Sequence, residues 1–204
     1  MRDFSVQNEI IHSDIYPTEL SDLDEIVSLH EESVTRGPGV RPDFELLLND
    51  PDTVGYKYVI DGVIAGFIMF RKGFMLSGGH MDLIREYQEF TKGELTYTGD
   101  SVIVRPEYRR RGIGEALQKT SVRELLRRGV VFLLLEHWVP KGKEEGMAYT
   151  LLKYNGESND MGLHLNFYKD YHKEGFVCRL CGEDCICSAH IFICKLNNLE
   201  ASEI

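Results

Sequence analysis

Two short stretches of this chain carry residues whose types and spacing could do chemistry. The first runs from Val102 to Leu117: Val102-Ile103-Val104, then Pro106, then Arg109-Arg110-Arg111-Gly112-Ile113-Gly114-Glu115. A β-branched apolar run ends at a proline, three arginines follow, and a Gly-x-Gly pair opens a helical pattern, which reads as strand, tight turn and helix start. The two glycines remove Cβ atoms where a ligand would approach the backbone. The first N–H groups of the helix lack an intrahelical acceptor and lie at the positive end of its dipole, so a diphosphate fits there. The second stretch holds Cys178, Cys181, Cys185 and Cys187, four cysteines within ten residues. Cys-x-x-Cys-Gly has the spacing of a zinc knuckle, whose glycine lets backbone N–H groups turn toward the sulfurs. The second pair would complete a tetrahedral site, although Cys-x-Cys bends two ligands close together. Reduced free thiols or a redox pair are the other readings. Cys194 stands apart in the last strand and reads as a buried thiol.

The elements that must position these residues follow from the apolar pattern. The helix after Gly112 carries Ile113, Leu117, Ser121 and Leu125 on one face, with Ala116 beside them, and stops at Gly129. Upstream, Ser21 to Glu25 reads as a capped helix start, with Leu23, Ile26, Val27 and His30 facing inward. Pro38 and Pro42 punctuate a break, and 44–48 reads as a short helix. Val54 to Ile60 and Val63 to Phe70, joined by Asp61-Gly62, read as a hairpin. Residues 94–104 and 130–138 are the next two strands. Residues 71–93 form a long inserted loop with a helical piece near 83–87, either a lid or a surface insertion.

Composition bounds the rest. The chain has 204 residues, with 43% hydrophobic and 27% charged residues, as expected of one soluble globular domain spanning 1–204. A net charge of −10 argues against a nucleic-acid partner and suits a cationic one. No apolar run approaches the roughly 20 residues needed to span a membrane, and the N-terminus lacks a signal-peptide pattern, so a cytoplasmic protein is expected.

At the first stretch the chain resembles the GNAT superfamily of acetyl-CoA-dependent N-acetyltransferases. The pyrophosphate loop of that superfamily reads V-x-P-x-x-R-x-x-G-x-G, and Val104, Pro106, Arg109, Gly112 and Gly114 match it position by position. The resemblance implies an α/β (α+β) fold, with a mixed, splayed central sheet of about seven strands and helices on both faces. It also implies acetyl-CoA as co-substrate, held by Val102, Ile103 and Val104 along pantetheine and by Arg109 to Glu115 (Arg110, Arg111, Gly112, Ile113 and Gly114 between them) at the diphosphate. A primary amine of a small molecule or protein would attack the thioester directly, with the oxyanion met by a backbone N–H near Val104.

Catalytic residues are harder to place. Family members often carry a carboxylate or histidine four or six positions before the valine at Val104, and here these are Thr98 and Asp100, on one face of a strand. Asp100 is therefore the candidate base, and its other reading is a surface aspartate at a bulge. His137, in the Glu136-His137-Trp138 run that ends the fifth strand, is a reserve base or substrate contact, or a structural histidine. The family tyrosine that protonates the departing thiolate allows two registers. One uses Tyr171 to Phe176, after a long insertion following Trp138. The preferred one uses Ala148, Leu152 and Gly156, with Leu163 to Asn166 as sixth strand and Ala189 to Leu196 as seventh. Leu152 then stands where the tyrosine belongs, and Tyr168 is the substitute acid, with Tyr171 behind it. Some GNAT members are similar in carrying a C-x-x-C-G-x-x-C-x-C-S-A segment before the last strand, here within the 169–188 loop, which fits one structural zinc on Cys178, Cys181, Cys185 and Cys187. Expected partners are an amine and a second copy of the chain. The competing reading is a non-catalytic acyl-CoA-binding or sensing module, with a thiol or metal sensor as a third.

Overall fold

The computed structural model describes residues 15–141 and 157–196. The strands are β1 (Ile15–Pro17), β2 (Thr35–Arg36), β3 (Val54–Ile60), β4 (Val63–Lys72), β5 (Thr96–Val104), β6 (Phe132–Val139), β7 (Glu157–His164), β8 (Val177–Cys178) and β9 (Ser188–Lys195). The helices are α1 (Leu23–Ser33), α2 (Val40–Asn49), α3 (Met81–Thr91) and α4 (Ile113–Arg127). Seven strands form one mixed sheet in the order β1-β3-β4-β5-β6-β9-β7, and β2 pairs with β8 in a separate ladder. Only β5 and β6 run parallel within the sheet, joined by α4 as crossover.

Strand alternation sorts the core into two faces. Ile113, Leu117, Val122 and Leu125 of α4 pack on Ile68, Phe70, Tyr97, Leu133 and Phe192 on one side. On the other side, α1 and α2 cover Ile64, Phe67, Met69 and Ile103, while α3 covers Phe132, Leu134, Ile191 and Ile193. Leu117 and Leu125 are fully buried, and burying each leucine stabilises the fold by about 1.5–3 kcal/mol. Among the described residues no helix is long and apolar enough to cross a membrane.

Three sequence expectations shift. Pro42 lies inside α2 and not in a break, because in the first turn its missing N–H would have had no intrahelical acceptor. The helical piece of the 71–93 segment extends over all of α3. The sheet strand expected sixth along the chain, at 163–166, is instead β7, Glu157–His164; it pairs with β9, which lies between it and β6, and residues 165–166 already belong to the turn beyond it. The helix expected around Ala148, Leu152 and Gly156 lies outside the described residues.

The feature that positions a site is the parting of β5 from β6. Their parallel ladder has four pairs and ends at Gly99 opposite Leu135. Beyond it, β5 stays with β4, while Glu136 to Val139 of β6 stay with β9. A Cβ on Gly99 would lie 2.9 Å from Leu135 Cδ2, so any larger residue there would have to displace the Leu135 side chain at the last pair before the strands separate. Gly99 faces Phe70 and Ser101 faces Met69, which leaves Asp100 as the extra residue of a β-bulge that bends β5 away.

Candidate active site

The loop after β5 makes the first part of the site. A short 3-10 turn, Pro106–Tyr108, leads through Arg110 and Gly112, both in the left-handed region at φ 62° and 80°, into α4. The first bond of the helix is from Ala116 N–H to Gly112 O at 2.9 Å, so the amides of Ile113 and Gly114 precede any intrahelical acceptor. A Cβ on Gly114 would meet nothing nearer than Val104 Cγ2 at 3.8 Å. The protein's own packing therefore does not demand glycine there; a ligand lying against the backbone would. Arg109 Nε donates to Val104 O at 2.9 Å, which ties the loop to the strand end, and the Arg111 guanidinium lies over the Tyr108 ring at 5.4 Å. Arg105 N–H donates back to Ala65 O at 2.9 Å, so by strand alternation the Val104 N–H turns away from β4, toward the gap.

The gap opens into a cavity of about 790 Å³ that passes through the sheet. Val102, Arg110, Gln118, Leu135 and His137 line it toward α4, and His30, Phe44, Glu136, Tyr168 and Tyr171 line it toward α1 and α2. Glu136 is one of the carboxylates on its wall. Its Oε1 accepts from Tyr168 Oη at 2.8 Å, and its Oε2 accepts from Ser77 N–H, in the loop before α3, also at 2.8 Å. Burial pushes its pKa above the usual carboxylate range, while the Ser77 and Tyr168 hydrogen bonds and nearby His80 restrain the rise. Burial, and then the Glu136 charge, pushes the Tyr168 phenol well up, so it stays a donor.

Asp100 also lines the cavity, but it is engaged differently. Arg71 Nε and Nη2 reach Asp100 Oδ2 at 2.9 and 2.5 Å, Arg71 Nη2 reaches Asp43 Oδ2 at 2.8 Å, and Ser101 Oγ donates to Asp100 Oδ1. Against the lowering effect of burial, these two aspartates keep Arg71 charged. Thr98 accepts from Met75 N–H and donates to Gly73 O, which anchors the same loop that brings Ser77 to Glu136. His137 stands opposite His190 in the β6–β9 ladder, and burial first, then His190, lowers its pKa, so it is neutral near pH 7. Tyr171 begins a 3-10 turn, Tyr171–Glu174, and its ring stacks on Phe176 at 4.6 Å. The strands of one register and the cavity-lining tyrosine of the other thus occur together.

The sequence profile of the acetyltransferase (GNAT) family matches residues 18–144, well over half of the chain. The chain belongs to the GNAT acetyltransferase family. The fold of this GNAT protein is similar to that of the ribosomal-protein-S18-alanine N-acetyltransferase from Escherichia coli, at 20% identity and TM-score 0.59, over 91% of this chain and 97% of that one. It is also similar to Arabidopsis thaliana NAA60 in complex with acetyl-CoA, at 20% identity and TM-score 0.62, over 90% and 98% of the two chains. The NatC complex bound to Gag peptide and CoA matches at 17% identity and TM-score 0.59, over 89% and 96%. Comparison with curated proteins by sequence finds no match. At these identities the solved structures speak for the fold alone.

The four cysteines of this GNAT chain converge. Their Sγ atoms lie within 4.8 Å of one another, and Cys181 and Cys187 are 3.5 Å apart. Four sulfurs at about 2.3 Å around one tetrahedral zinc would sit roughly 3.8 Å apart, so this set fits that ion with little movement. Against the raising effect of burial, the backbone N–H of Ile186 acts to lower the pKa of Cys181 and that of Cys187 the pKa of Cys185, as the backbone donors of a knuckle do. The cluster also abuts the cavity: Cys178 pairs with Thr35 in the β2–β8 ladder, Arg179 N–H donates to Val34 O at 3.0 Å, and Val34, Thr35, Cys178 and Cys185 all line the wall.

Glu136 is a cavity-lining carboxylate that sequence reasoning did not single out. Alternation along β6 puts it on the face of Leu134, but its donors come from 32 and 59 positions away, and nothing local announces them.

Proposed function

We propose that this GNAT chain transfers the acetyl group of acetyl-CoA to a primary amine, with Glu136 taking the amine's proton. The observation that carries the proposal is the cavity at the β5–β6 parting, lined by Arg110 from the Gly-x-Gly loop and by the half-buried Glu136, whose carboxylate accepts from Tyr168 and Ser77. When bound, acetyl-CoA supplies the activated thioester. The β5 edge at Val102 to Val104 would hold its pantetheine, and the amides of Arg109 to Gly114 its diphosphate. The Val104 N–H turned toward the gap would meet the developing oxyanion. An ammonium arriving from the α1–α2 side gives one proton to Glu136. As the N–C bond forms and the C–S bond breaks, the nitrogen's second proton goes to sulfur, and Tyr171 on the cavity wall is the hydroxyl assigned to that transfer. Tyr168 and Ser77 position Glu136, and Asp100, paired with Arg71, shapes the acceptor side. The test is release of CoA that depends on added amine, together with acetylation of that amine.

The cysteine cluster supports a second element of the proposal, one structural zinc. Four thiolates leave no open position for water, so the ion would fasten the wall and do no chemistry. Protein purified without chelator should hold close to one equivalent of zinc. Chelation should lower the melting temperature and raise the acceptor KM, because the β2–β8 seam loosens, while acetyl-CoA binding persists. Less than about a tenth of an equivalent of any metal, with all five thiols reactive, would contradict it.

A further inference from the structure

The acceptor side of the cavity is more acidic than one amine requires. Asp43, Asp100 and Glu136 all line it. Arg71 lies between Asp43 and Asp100, hydrogen-bonded to both, so this cluster retains one negative charge. The imidazole beside it adds no cation. His30 lines the same wall with Nε2 bound to Thr35 Oγ1 at 2.8 Å, and burial holds its pKa down to about 4, although the Asp43 charge acts to raise it. Arg110 also reaches the cavity, but it belongs to the diphosphate loop. Tyr171 lines the same wall: burial raises its phenol pKa, a hydrogen bond with Ser77 lowers it, and the charges of Glu136, Asp100 and Asp43 all add to the rise. The same cavity is also lined by aromatic rings, the stacked Tyr171 and Phe176 and Phe44, whose ring meets His30 edge-on at 4.9 Å.

A neutral or singly charged amine at Glu136 would leave the aspartate cluster facing an apolar ligand. That is costly for a carboxylate drawn out of bulk water. A ligand with a second ammonium some carbons from the first removes this cost and adds a charge-assisted hydrogen bond. Its methylenes would lie along the aromatic wall, where a cation is also attracted to ring faces. We propose that the acceptor is a small aliphatic diamine, one amine directed to Glu136 and the other ammonium held by the Asp43–Arg71–Asp100 cluster. This rests on the N-acetyltransferase reading.

The test compares 1,4-diaminobutane, butylamine and a short alanine-starting peptide as acceptors for the full chain with acetyl-CoA, while calorimetry follows CoA binding. A charge-assisted contact in such a site corresponds to a factor of about ten or more. The kcat/KM for 1,4-diaminobutane should therefore exceed that for butylamine at least about tenfold, through KM. In Asp43→Asn that ratio should fall about tenfold. Equal kcat/KM for the two amines, or preference for the peptide, would overturn the diamine assignment and leave acetyl transfer standing. Turnover of none of the three, with CoA still bound, would overturn the acetyltransferase reading itself.

Discussion

Gly114→Glu is expected to abolish acetyl-CoA binding in a protein that still folds. The space at Gly114 is not needed by the protein, since a Cβ there makes only ordinary contact at 3.8 Å with Val104. The substitution leaves α4 and its buried face of Ile113, Leu117, Ser121 and Leu125 in place. What it changes is the mouth of the diphosphate loop, where a carboxylate both fills the space and repels phosphate at the positive end of the helix. Titration calorimetry should show a loss of at least about 100-fold in affinity, the size expected when several charge-assisted hydrogen bonds go together. A folded variant with unchanged affinity for CoA would remove the loop from the site. Gly112→Glu is the less clean version, because Gly112 sits at φ 80° and any side chain there is strained.

Glu136→Gln is expected to lower kcat by about 10²–10⁴, the range of general base catalysis, with acetyl-CoA affinity changed no more than about twofold. The amide keeps the shape of the carboxylate and can still accept from Ser77 N–H. The pH dependence gives an independent readout. Glu136 must be ionised to accept a proton, and burial raises its pKa above the usual range, so kcat/KM should climb with pH along a limb displaced upward from an ordinary glutamate. The same shift has a stability consequence of known sign. A carboxyl raised in the folded state favours folding below its unfolded pKa, and that advantage is lost as pH rises through the raised value. At neutral pH the variant should therefore melt no lower than the unsubstituted protein. A variant that retains the full rate and the same pH limb would return the base to Asp100, His137 or water.

Sequence reached much of this, and the places where it stopped have physical reasons. The turn and helix start after β5 were legible because their signal is local: the proline, the glycines and the first helical residues fall within eleven successive positions. The hairpin across Asp61-Gly62 and the buried face of α4 were legible for the same reason, each resting on a short-range period. Pro42 was misleading because proline breaks a helix interior but suits its first turn, and the sequence does not mark which turn it occupies. Glu136 stayed hidden because its character comes from Ser77 and Tyr168, brought in by two distant segments. Asp100 looked accessible because nothing near it in sequence announces Arg71 or Asp43. The convergence of the four cysteines could be read from spacing, whereas their place against the β2–β8 seam could not.

Amine-dependent release of CoA, measured with the full chain and paired with mass analysis of the acceptor, tests the central claim most directly. The account predicts one acetyl group on an amine nitrogen for each CoA thiol released, with the rate collapsing in Glu136→Gln. Tight acetyl-CoA binding with no release above the amine-free rate, across mono- and diamines and peptide N-termini, would contradict it and make the chain an acyl-CoA-binding module.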